Sequence, residues 1–129
     1  MKFESKQLPV KPDELAPDGS EIRLLSKLKG GGLCYCTLPT KQTSHAVRHR
    51  TVEEIWYFVV GRGEVWRKFG VREETVVVTP GVSLTIPVGT CFQFRNVGRE
   101  PLSFLIVTMP PWPGKDEAVT VANHWSPGK

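Results

Sequence analysis

Glycine and proline interrupt this chain at intervals too short for helices, and that spacing limits the fold more than any other feature. Strand-favouring runs rich in Val, Ile, Thr, Phe, Trp and Tyr lie between the breaks. The run 21–28 precedes Gly30-Gly31-Gly32, and 33–38 stops at Pro39. The run 44–50 leads through a short polar turn into 54–60, which closes at Gly61-Arg62-Gly63, a hairpin signature. The run 64–69 stops at Gly70, 75–79 at Pro80-Gly81, and 82–86 at Pro87-Val88-Gly89. The run 91–96 turns at Gly98, and 102–109 ends at Pro110-Pro111. No helical period of about ten residues occurs before residue 110. About nine short strands at such spacing predict an all-β barrel or sandwich.

The 129 residues suit one core. Residues 1–20, with Pro9, Pro12 and Pro17, read as an irregular arm. Residues 21–109 form the predicted barrel, and 110–129 a Pro/Gly-rich tail that packs on it by Trp112, His124 and Trp125. The net charge of +4 comes from scattered side chains rather than a basic block, so no nucleic-acid partner is expected. The start carries no apolar leader, and no 18-residue apolar run occurs, so neither secretion nor membrane insertion is expected. Three cysteines, Cys34, Cys36 and Cys91, suit reduced thiols in a cytoplasmic protein. Cys34 and Cys36 alternate on one run and therefore share a face. Asp13, Asp18 and Asp116 fall in the irregular ends and read as solvated.

Two stretches carry a more specific pattern. His49, four intervening residues, Glu54, six intervening residues and Gly61 make one. Gly81, Pro87, Gly89 and Asn96 make the other. In order, spacing and separation they resemble the paired motifs of the cupin superfamily over roughly residues 33–109. The resemblance implies a double-stranded β-helix, or jelly-roll, barrel. In metal-holding cupins the ligands are two histidines and a glutamate of the first motif and one histidine of the second. Here Val47 and Phe92 stand at two of those positions, and only His49 and Glu54 remain. Two protein ligands rarely hold a transition metal. His45 shares strand parity with Val47 and His49, so a bulge there would complete a His45, His49 and Glu54 set suited to iron, manganese, zinc or nickel.

Parity also directs Trp56 and Phe58, with Glu54, and Phe94, with Phe92, into the barrel. These aromatics either fill a small barrel or line a pocket. In the pocket reading, His49 and Glu54 are the acid–base pair, and His45, Trp56, Phe58, Phe92 and Phe94 contact a small organic molecule, a carboxylated one included. Its cofactor is none, or a weakly bound divalent transition metal. The alternatives are a metal-dependent, oxygenase-like enzyme using His45, His49 and Glu54, and a non-enzymatic homodimeric module pairing through outward residues such as Tyr57 and Val59.

Overall fold

The computed structural model describes residues 2–127. Two antiparallel sheets face each other. The first is ordered β1 (Glu14–Leu15), β2 (Glu21–Leu28), β3 (Gly31–Leu38), β10 (Leu102–Met109), β5 (Glu53–Val60) and β8 (Ser83–Ile86). The second is ordered β11 (Ala118–Thr120), β4 (Val47–His49), β9 (Cys91–Asn96), β6 (Gly63–Phe69) and β7 (Arg72–Val78). This is the expected all-β jelly roll, with nearly every turn where glycine or proline placed it. No helix among the described residues is long and apolar enough to cross a membrane.

Period-two alternation is clearest in β5, where Glu54, Trp56 and Phe58 are buried while Glu53, Ile55 and Tyr57 are exposed. Gly61 shows why the hairpin needs glycine. Its φ is 91°, and an added Cβ would lie 2.6 Å from the Pro101 carbonyl oxygen.

The ends of the chain are less irregular than the sequence suggests. β1 lies within the arm and pairs with β2. Earlier in the arm, the carbonyl groups of Pro9 and Val10 accept hydrogen bonds from Arg23. In the tail, a short 3-10 helix (Lys115–Glu117) leads into β11, which pairs with β4. Beyond β11, the buried Gln93 side chain is bonded to the backbone of His124 and Trp125, His124 stacks on Trp66, and Arg95 covers the Trp125 ring.

The core between the sheets divides in two. Toward one end, Leu38, Phe58, Val65, Val78 and Leu102 close it completely. Phe58 meets Phe104 with ring centroids 4.5 Å apart. Toward the other end the barrel stays open.

Candidate functional site

The open end is a cavity of about 400 Å³, within the range of small-molecule sites. Trp56, Phe92, Phe94, Phe104 and Ile106 form its apolar wall, and Trp112 of the tail closes over His49. Trp56 packs edge-on against Phe92 and Phe94, at 5.3 and 5.4 Å between centroids. The aromatic pocket inferred from strand parity is therefore present in part. Trp56, Phe92 and Phe94 line it, whereas Phe58 belongs to the filled half and does not reach the space.

Two polar side chains converge on this wall. Glu54, on β5, is 5% exposed. Its Oε1 accepts from Trp56 Nε1 at 2.9 Å, and its Oε2 accepts from Thr108 Oγ1 at 2.8 Å. Thr108 is there because β10 pairs with β5 in a register that sets it opposite Glu54. Burial pushes the Glu54 carboxyl up to about 7, despite the opposing pull of these two donors. His49, on β4, is equally buried, with Nδ1 4.0 Å from Glu54 Oε2. That separation is too long for a hydrogen bond, and Nδ1 makes none. Burial pushes the imidazole down to about 4, against the pull of Glu117. At neutral pH the pair is thus a neutral imidazole beside a carboxyl that exists in both protonation states.

Glu117 sets the position of β4 from behind. Its carboxylate accepts from Thr51 N at 2.6 Å, Thr51 Oγ1 at 2.7 Å and Val52 N at 2.8 Å. Burial alone would raise this group, but the three donors together hold it below the ordinary carboxylate value. The turn between β4 and β5, and so the spacing of His49 from Glu54, is tied to the tail.

His45 does not join the site. It is exposed, lies outside β4 and is absent from the cavity wall. The alternation assumed for it fails because Ala46 and Val47 are both buried. The preceding backbone is held irregularly, with Ser44 N donating to Phe94 O and His45 N to Asp18 O. The set of His45, His49 and Glu54 is not assembled, and no group of three His, Cys, Asp or Glu suited to a metal occurs among the described residues. The two replaced positions, Val47 and Phe92, are cross-strand partners. They put carbon where ligand atoms would be needed, so the side chains present do not fit a resident transition metal.

Asp18 reverses another expectation. It is buried and lines the cavity, with Oδ1 accepting from Ser20 N at 2.9 Å and Ser20 Oγ at 2.6 Å. Burial raises its carboxyl as well. Cys34 and Cys36 line the same wall from β3, and burial pushes the Cys34 thiol up to about 12, leaving it an unreactive thiol. Phe104, Ile106 and Thr108 went unassigned in the sequence, although their shared parity on 102–109 was a usable signal. Asp18, Trp112 and Glu117 carry no local signal, since only the folded topology brings them here.

A family model described as a cupin domain matches residues 34–108. The chain belongs to the cupin family. This cupin is 30% identical over 115 residues to protein MJ1618 of Methanocaldococcus jannaschii, with 85% of this chain and 88% of that one covered. It also resembles the crystal structure of BH2720 from Bacillus halodurans, with a TM-score of 0.65, 22% identity and 72% of each chain covered. KdgF from Halomonas sp. matches with a TM-score of 0.65 and 15% identity over 78% of this cupin and 87% of that chain. Oxalate decarboxylase from Bacillus subtilis matches with a TM-score of 0.70 and 16% identity over 89% of this cupin, which spans 30% of the larger enzyme. These structural likenesses show the jelly-roll fold.

Proposed function

We propose that this cupin binds a small organic molecule in the open half of its barrel and moves a proton on it with Glu54 and His49, as an isomerase or lyase does. The observation that carries this reading is the pair itself. Both groups are buried, they lie 4.0 Å apart, and they open onto an aromatic-lined space. A ligand carbonyl group beside the pair turns its oxygen to His49 Nδ1 and the adjacent C–H bond to Glu54 Oε2. The ionised Glu54 takes a proton from a ligand carbon, and the electron pair of that C–H bond moves onto the ligand oxygen. Neutral His49, with its proton on Nδ1, donates a hydrogen bond to that oxygen. The protonated Glu54 then returns its proton to a neighbouring carbon or to a leaving group, which restores the enzyme. The reaction needs no metal, in keeping with Val47 and Phe92 at the replaced ligand positions.

The test is exchange of ligand C–H protons in D2O, followed by NMR across a panel of small carbonyl compounds, with Glu54→Gln in parallel. At least one compound is expected to exchange with the wild type and about 100-fold more slowly with the variant. Exchange that is unchanged in Glu54→Gln overturns the reading. So does a near-stoichiometric transition metal in the purified protein that is lost on His49→Ala.

A surface observation supports a second, compatible role. Leu105 and Val107 on β10 pair with Tyr57 and Ile55 on β5, and Ile55, Tyr57 and Val107 form an exposed apolar strip on the outside of the six-stranded sheet. We infer that this strip joins two copies of the chain. Light scattering of Tyr57→Lys checks it: a monomer is expected for the variant and a dimer for the wild type.

A further inference from the structure

The cavity differs in charge from the chain around it. The protein carries a formal net charge of +4. Yet four carboxyls line the cavity: Glu54 and Asp18 buried on its wall, and Glu4 and Glu14 exposed at its rim. The ammonium groups among the lining residues, Lys6 and Lys27, belong to exposed rim residues. Among the described lining residues the only other ionisable nitrogens are those of His49, whose Nδ1 makes no hydrogen bond. No buried lysine or arginine among them therefore faces Glu54 or Asp18; the exposed His45, outside the wall, acts on Asp18 from the surface. The remaining wall is largely apolar and includes five aromatic rings, those of Trp56, Phe92, Phe94, Phe104 and Trp112, and the faces of such rings attract positive charge.

Building on the binding role proposed above, we propose that the cavity takes a small organic cation, an amine that points its ammonium group at Asp18 and its reacting end at Glu54 and His49. A cationic ligand gives the ionised forms of these two buried carboxyls a partner, whereas an anionic ligand pushes them toward their protonated forms and gains no buried lysine or arginine in return. Asp18 fits the anchoring role, because Ser20 occupies its Oδ1 and fixes the side chain. Glu54 is held instead by Trp56 and Thr108, beside the orphan nitrogen of His49. The sequence left a carboxylated ligand open, but the lining holds no buried cation to receive one.

Three probes of one skeleton test this: benzylamine, benzyl alcohol and phenylacetate. Each is titrated at neutral pH while the indole N–H of Trp56, which donates to Glu54, is followed by NMR. Benzylamine is expected to bind about tenfold more tightly than benzyl alcohol, with phenylacetate weakest. In Asp18→Asn the amine is expected to fall to the affinity of the alcohol, while the alcohol keeps its own. Equal binding of amine and alcohol in the wild type, or preference for phenylacetate, overturns the charge assignment but leaves the cavity a small-molecule site. Failure of all three to perturb Trp56 overturns the binding role itself. The wild-type series decides the matter even if Asp18→Asn does not fold.

Discussion

Two glutamates on neighbouring elements are buried to the same 5% exposure and titrate in opposite directions. Glu117 accepts three hydrogen bonds from the turn between β4 and β5, two of them from backbone N–H groups, and stays ionised. Glu54 accepts one side-chain bond on each oxygen and faces a cavity, and burial wins. Equal residue exposure thus conceals two different surroundings: enclosure dominates at Glu54, while donors dominate at Glu117. What separates them is how deeply the carboxylate is enclosed and how many donors surround it.

The comparison breaks most visibly at the anchor. Glu117→Ala leaves the N–H groups of Thr51 and Val52 without their acceptor, and a loss of about 2–4 kcal/mol is expected in urea denaturation. Glu117→Gln keeps an acceptor oxygen and should lose less. If both variants match the wild type, the anchor role is wrong.

Glu54 has the opposite pH signature. The folded value of Glu54, about 7, lies above its unfolded value near 4.5, so its contribution is complete below 4.5 and lost as pH rises through 7. The folded value of His49, about 4, lies below 6.5, so its contribution is complete above 6.5 and lost as pH falls through 4. The two slopes oppose each other between about 4.5 and 6.5 and nearly cancel there. Wild-type stability should be close to flat across that window as far as this pair is concerned. Glu54→Gln should turn it into a rise with pH, and His49→Asn into a fall, each on the order of 2 kcal/mol across the window. Parallel profiles for all three proteins would refute the opposed shifts.

The smallest effect sharpens the contrast in donor number. Thr108→Val removes one of the two donors to Glu54 and should raise its carboxyl further, by roughly half a unit. Carboxyl-carbon NMR reads that shift directly, and movement downward would contradict the account.

Much of this site was legible because a strand has a period of two and the turns are marked. Once 54–60 is a strand and Glu54 points inward, Trp56 must also point inward, and Phe92 and Phe94 follow on β9. The same rule sent Phe58 inward correctly, but parity says nothing of depth, and Phe58 lies in the filled half. Parity failed at His45 because residues 43–46 are not a regular strand. Thr43 forms an isolated bridge to Arg95, and Ala46 donates its N–H to the Asn123 side chain rather than to a sheet partner. Asp18 and Glu117 were illegible for a different reason. Each is an acidic residue beside turn-forming neighbours, where solvation is the ordinary outcome. Their burial depends on contacts with residues distant in sequence, such as Thr51, 66 positions from Glu117.

That long reach bears on how the site is made. β4 is three residues long and lies between β9 and β11. On a ribosome, the strand carrying His49 is translated early but must wait for both neighbours, and Glu117 and β11 emerge about 70 residues later. Synthesis proceeds from the N-terminus, so the filled half of the barrel has its strands in hand before the cavity half has all of its own. The spacing of His49 from Glu54 is therefore set only once residue 117 is available, and a nascent chain that stops short of it lacks both the β11 partner and the carboxylate that hold β4 and its turn.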